Sequence, residues 1–224
     1  MTPAALDVRA DVTASLQALA LGIRAACDAR PAHAGRSAYS VALAASRPGD
    51  GTTSLVCHLA RLLEADLGLK VCVLDADLGV PSLHAVYGTP LLPGFGELAA
   101  GAAGLDEVLA VAENGRLAIL PAGTSPGGRV PRLPRGFLRE VADGLGRKGF
   151  DVLLVDCPAI LPNPEVPVLA AQADIAYLVV RSEGTRLPDA QGAVTSLRSA
   201  GCDVGGVVLN RVKRHVPALL ANFV

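Results

Sequence analysis

Tryptophan is missing from this 224-residue chain, aromatic residues make up only 3% of it, and it has a single methionine. With so few rings the core has to be mainly aliphatic. The apolar share is 51%, mainly Ala, Leu and Val, a mix that suits a parallel sheet buried on both faces and wrapped by helices. No run of about 18 apolar residues occurs, which argues against a membrane-spanning helix, and no charged-then-apolar leader opens the chain. There is no Cys-x-x-Cys pair. The five cysteines (Cys27, Cys57, Cys72, Cys157 and Cys202) are scattered and odd in number, so buried free thiols are favoured over a metal centre or a disulfide framework. Neither charge sign dominates: 20 Lys and Arg against 21 Asp and Glu leave −1, and nothing global points to nucleic acid or anionic lipid. The expectation is a soluble, cytoplasmic, one-domain protein, long enough to bury a real core.

What is present alternates. Apolar strand-like runs are expected near 39–45, 70–75, 116–120, 151–156, 174–181 and 204–209. Helical spacing is expected near 7–28, 52–66, 95–101, 104–112, 134–147, 165–172 and 187–200. Such alternation indicates an α/β fold with a doubly wound, mainly parallel sheet flanked by helices. Residues 29–38 read as a linker, and residues 121–134, rich in Pro, Gly and Arg, as a surface loop. The chain divides into an N-terminal helix and linker (1–38), one main domain (39–214) and an apolar tail (215–224).

Ligands of such sheets sit at the carboxyl ends of the strands. The first of those ends carries Ser46-Arg47-Pro48-Gly49-Asp50-Gly51-Thr52-Thr53-Ser54, a Gly-rich turn between a strand and a helix, the context of a phosphate-binding loop. Its lysine is missing: Thr52 stands directly after Gly51, where the point charge on the β- and γ-phosphates belongs. Thr53 keeps the Mg²⁺-binding hydroxyl. Two further strand ends carry acids, Asp75-Ala76-Asp77 and Asp156-Cys157-Pro158. Either acid taken alone reads better as a helix cap or an ion-pair member than as a metal ligand. Together with the loop they favour a Mg²⁺ site, direct or through water, built from Thr53, Asp75 and Asp156.

Several segments in order resemble the bacterial tyrosine kinases of capsule and exopolysaccharide synthesis, the BY-kinases, of the MinD and ParA superfamily of P-loop NTPases. Ser46 to Gly51 resembles their Walker A entry, Leu74-Asp75-Ala76-Asp77-Leu78 with Pro81-Ser82-Leu83-His84 their Walker A′ motif, and Leu154-Val155-Asp156-Cys157-Pro158 their Walker B. Tyr87-Gly88, Gly94-Phe95 and Leu120-Pro121-Ala122-Gly123 match connecting segments, and Val207-Val208-Leu209-Asn210-Arg211 the closing strand whose Asn lies near the adenine. The resemblance covers roughly residues 14 to 214. It implies ATP or ADP and Mg²⁺ as ligands. Nucleotide contacts would come from Pro48, Gly49, Asp50, Gly51, Thr52, Thr53, Ser54, Asn210 and Arg211. In an active member Asp75 or Asp77 would position or deprotonate the nucleophile.

The departures from that pattern point one way. Thr52 replaces the lysine, and one charge-assisted contact is worth about 1.5–3 kcal/mol. Gly79-Val80 replaces a basic pair. Ala14, Gln17 and Ala20 stand where a Glu-x-x-Arg-x-x-Arg stripe would close a ring of subunits. No tyrosine follows Tyr177, so there is no C-terminal acceptor cluster; Tyr39 and Tyr177 are expected to be buried in strands. Of the three lysines, Lys70 and Lys148 precede strands at the wrong end of the sheet, and Lys213 follows the last strand. Arg47 is the best candidate to compensate, ahead of Arg181.

The expected function is therefore that of a degenerate BY-kinase-like protein, an interaction or regulatory subunit of polysaccharide assembly and export with weak or no ATP binding. Its implied partner is a membrane-anchored copolymerase or chain-length determinant, which would hold it at the inner face of the membrane. No nucleic-acid partner is expected. Two alternatives stay open. One is an active ATP-dependent tyrosine kinase or ATPase. The other is a MinD/ParA-like positioning switch, for which the tail Val216 to Val224 is a marginal membrane anchor.

Overall fold

A computed structural model describes residues 10–30 and 37–212. The tail, Lys213, His215 and most of the linker lie outside them. The chain order is α1 (Ala10–Asp28), β1 (Tyr39–Ala45), α2 (Thr52–Arg61), β2 (Val71–Asp75), α3 (Leu83–Tyr87), α4 (Phe95–Ala99), α5 (Leu105–Val108), β3 (Ala110–Val111) and β4 (Leu117–Leu120). It continues with α6 (Phe137–Arg147), β5 (Val152–Cys157), α7 (Val166–Ala170), β6 (Ile175–Arg181), α8 (Leu187–Ser199) and β7 (Val204–Asn210). A π-helical turn, Leu62–Asp66, extends α2.

One seven-stranded sheet results, ordered β3-β4-β2-β5-β1-β6-β7. All neighbours are parallel except the short β3, which runs antiparallel to β4. The central strands β1, β2 and β5 are apolar at nearly every position because both of their faces are covered. On one face Ala42, Cys72, Leu74, Leu153 and Val155 pack under α6, α7 and α8 with Phe95 and Leu138. On the other, Val41, Leu43, Val73 and Leu154 pack under α1 and α2 with Leu16, Ile23 and Leu59. This is a single-domain, doubly wound fold, and α1 joins the same core through Leu16, Ala20 and Ile23.

Four expectations need correction. The segment 104–112 is not one helix: Leu109 is extended (φ −90°, ψ 118°) and ends α5, after which Ala110 and Val111 pair with Ile119 and Ala118. A five-residue helix at 83–87 was not expected at all. Tyr39 and Tyr177 are only half-buried, while Tyr87 is the buried tyrosine at 3% exposure. In α1, Gln17 is exposed but Ala20 faces the core. Position 20 therefore does not share an exposed face with position 17, and Ala14 lies outside the described side chains.

Candidate functional site: a phosphate-loop cleft

The loop after β1 is tied mostly by its own side chains. Asp50, buried at 4% exposure, accepts hydrogen bonds at Oδ2 from Ser46 Oγ (2.9 Å) and from the Arg47 N–H (3.1 Å). Its Oδ1 accepts from Thr185 Oγ1 at 3.1 Å. The carboxylate is thus spent inside the loop and on the turn after β6. Gly51 caps α2 in a left-handed conformation, φ 92°, which a side chain adopts only with strain. It also has no room for one, because a Cβ there would stand 2.5 Å from Asn210 Nδ2. That amide donates to the carbonyls of Asp50 (2.9 Å) and Gly51 (3.4 Å), so the end of β7 is fastened to the back of the loop. Asn210 Oδ1 accepts the N–H of Arg211 (2.9 Å), itself at φ 55°.

Thr52 opens α2 where the lysine would stand. It is 7% exposed, and its hydroxyl has no hydrogen-bond partner. Thr53 is half-buried and lines a cleft, and Ser54 is exposed.

Asp75 and Asp156 are register neighbours on β2 and β5, so two buried carboxylates lie side by side. Asp75 accepts three backbone N–H groups: Asp77 at 3.1 Å on Oδ1, and Ser82 and Leu83 at 3.0 Å on Oδ2. Burial raises its carboxyl, and those three hydrogen bonds pull it back only in part. Both of its oxygens serve the turn into α3. Asp77 folds the next turn, accepting from Gly79 (3.2 Å) and Val80 (3.0 Å). Asp156 is 1% exposed and Oδ2 has no partner. Burial pushes its carboxyl up to about 8; a hydrogen bond from the Thr53 hydroxyl opposes the rise, and the charges of Asp75 and Asp77 add to it.

The Mg²⁺ question can be put to these oxygens. Among the described residues no group of three or more His, Cys, Asp or Glu is arranged to hold a metal ion. Thr53 and Asp156 do form an adjacent hydroxyl and carboxylate, with one buried oxygen unsatisfied. That hard-oxygen pair fits a Mg²⁺ shared with a phosphate, whereas Asp75 contributes no free oxygen.

Pro48, Gly49, Thr53, Asp77, Gly79, Arg129 and Asn163 line a cleft of about 460 Å³, with the remaining wall from Leu78, Val80, Ser82, Gly128, Val130 and the 158–159 segment. Arg47 does not reach into it as the compensating cation. Its guanidinium pairs with Asp189 of α8 at 2.9 Å, drawn there by a carboxylate in the first turn of that helix. Arg181, the last residue of β6, is exposed. Lys70 and Lys148 lie just before β2 and β5, at the opposite end of the sheet. The sequence reading passed over Arg129, hidden in the Pro- and Gly-rich stretch it treated only as a loop.

Comparison with known proteins agrees with this geometry. The chain is 31% identical over 170 residues to EpsB of Ralstonia solanacearum, provisionally named a tyrosine-protein kinase; that match takes in 76% of this chain and 22% of EpsB. It is 30% identical over 179 residues to an uncharacterised ATP-binding protein of Methanocaldococcus jannaschii, taking in 80% of this chain and 66% of that one. Among solved structures, the BceF tyrosine kinase domain superposes with a TM-score of 0.66 at 26% identity, over 88% of this chain and 76% of that domain. The chain belongs to the MinD/ParA superfamily of P-loop proteins, among the relatives of the bacterial tyrosine kinases. MinD of Pyrococcus horikoshii, solved with Mg-ADP, gives a TM-score of 0.64 at 26% identity over 83% of this chain and 76% of MinD. No protein-family profile matches this BY-kinase relative. It spans about a fifth of the length of EpsB and about two thirds of that of the archaeal protein. Among the described residues no helix is long and apolar enough to cross a membrane.

Proposed function

We propose that this chain is a BY-kinase relative that has lost phosphoryl transfer and acts as an interaction or regulatory subunit in exopolysaccharide or capsule assembly and export. It would work at the cytoplasmic end of a membrane-anchored copolymerase or chain-length partner. One observation carries the reading: the residue in the lysine's place is Thr52, uncharged, buried, and with a hydroxyl that makes no hydrogen bond. Phosphoryl transfer depends almost wholly on positioning and on cations around the developing charge. Losing the loop's own cation removes the main catalytic contribution.

The acids support the same reading. Asp75, one of the two acids that could serve a nucleophile, spends both oxygens on backbone N–H groups. Asp77 holds its own turn. What the chain retains is a scaffold for binding: loop amides at the start of α2, the Thr53 and Asp156 oxygens for a Mg²⁺, and an open cleft beside them. When bound, Mg²⁺ would neutralise charge on phosphate oxygens. Asn210 would act from behind, keeping the loop backbone in place.

An active kinase or ATPase is the second reading, and the Thr53–Asp156 pair with its unsatisfied oxygen is the observation that favours it. Incubation of the purified chain with γ-labelled ATP and Mg²⁺ separates the two. The proposed function requires phosphate release and phosphotyrosine at the level of the blank. Turnover that vanishes in Asp156→Asn would establish the enzyme instead.

A further inference from the structure

The cleft has lost its lysine without losing every cation. Arg129 lines it together with Pro48, Gly49 and Thr53 of the phosphate loop. We propose that Arg129 takes over as the phosphate-binding cation of the cleft, so that the wild-type chain still holds a nucleoside polyphosphate. This rests on the reading that the cleft is an inherited nucleotide site, and adds the residue that keeps it occupied.

The backbone fixes where this arginine stands. Pro126–Gly128 forms a single tight turn, and Gly128, at φ 62°, faces Gly79 of the loop after β2. A Cβ on Gly79 would meet the Gly128 carbonyl at 3.2 Å, and one on Gly128 would meet the Leu78 carbonyl at 3.3 Å. Two glycines therefore let the two backbones touch. On the other side of Arg129, Val130 is 9% exposed and belongs to the core. The residue is clamped before and after, while its own side chain is exposed.

The guanidinium is also unclaimed. Among the described residues Arg129 makes no hydrogen bond or ion pair, in contrast to Arg47 with Asp189. Beside the cleft, meanwhile, two buried oxygens have no protein partner, Thr52 Oγ1 and Asp156 Oδ2. Buried polar atoms are seldom left unpartnered, and a bound ligand, ion or water is one way to complete them. A guanidinium suits a phosphate: it offers a planar pair of donors, stays charged at any working pH, and reaches farther than a threonine.

The sequence supplies its own controls. In Arg129-Val130-Pro131-Arg132-Leu133-Pro134-Arg135 the arginines recur every third residue, the period of an extended proline-rich strand. Val130 and Leu133 turn inward and the three arginines outward. Only Arg129 lines the cleft, so Arg132 matches it in charge and exposure but not in position.

The test is displacement of a fluorescent ATP analogue, in Mg²⁺, by ATP and by inorganic triphosphate. It is run on the wild type, Arg129→Ala, Arg129→Lys and Arg132→Ala, and on Thr52→Lys alone and combined with Arg129→Ala. Expected are measurable wild-type binding, about a tenfold loss in Arg129→Ala for both competitors, recovery to within about threefold in Arg129→Lys, and less than a twofold change in Arg132→Ala. An unchanged affinity in Arg129→Ala, or an equal loss in Arg132→Ala, overturns the inference. So does a wild type that stays silent at millimolar analogue. In that case binding by Thr52→Lys means that only the role of Arg129 fails, whereas silence there too means that the inherited nucleotide site fails with it.

Discussion

Asp156 carries a pH signature that a single substitution should remove. Burial raises its folded carboxyl to about 8, against about 3.9 in an unfolded chain. The folded state therefore holds this proton more tightly than the unfolded one. The group's contribution to stability is greatest below about pH 4 and is lost as pH rises toward 8. Four pKa units at 1.36 kcal/mol each would be about 6 kcal/mol. Relaxation and water entry at a group so close to an open cleft reduce that, and about 2–3 kcal/mol is expected between pH 4.5 and 8. Asn keeps the shape and an oxygen for Thr53 without the ionisable proton. Asp156→Asn should therefore lie within about 1 kcal/mol of the wild type at pH 4.5 and be more stable by about 2–3 kcal/mol at pH 8. At about 2–4 °C per kcal/mol for a chain of this size, Tm at pH 8 should rise by about 4–12 °C. Thermal melts in EDTA, followed by circular dichroism at both pH values, read this out. A difference in Tm that does not change with pH, or a variant that melts lower at pH 8, would refute the argument.

Three further outcomes follow from single residues. Thr52→Val removes a hydroxyl that bonds to nothing, so urea unfolding should show unchanged stability or a gain of up to about 1 kcal/mol. Asp75→Ala orphans three backbone N–H groups and should cost about 2–4 kcal/mol in the same assay, with Asp75→Asn milder. Gly51→Ala places a Cβ at φ 92° against the Asn210 amide. It should cost at least about 1–3 kcal/mol, and adding Asn210→Ala should relieve the clash but leave the backbone strain, a double-mutant comparison that melting can resolve.

Most of the sheet was legible in the sequence because its strands are buried on both faces. Val41 to Ala45, Val71 to Leu74 and Val152 to Val155 cannot be mistaken for an amphipathic pattern, and each ends on the loop or acid that marks the site. The short elements were not legible. Ala110 and Val111 become strand only because β4 offers them an antiparallel edge, and Leu83 to Tyr87 becomes helix because Asp75 gathers the N–H groups that open it. At the site, the loop, the two acids and the missing lysine were all visible in order. Two features depended on distant partners and were not. Asp189 takes Arg47 away from the phosphates, and the Gly79–Gly128 contact holds Arg129 at the cleft. A regular Arg-x-Pro-Arg-x-Pro-Arg spacing beside a phosphate loop was the available signal for the second.

The central claim is that Thr52 decides what this cleft can do, and calorimetric titration of Mg-ATP into the wild type and Thr52→Lys tests it most directly. The result expected is at least tenfold tighter binding by Thr52→Lys, the gain of one charge-assisted phosphate contact. Equal affinities, with the wild type already in the micromolar range, would contradict it.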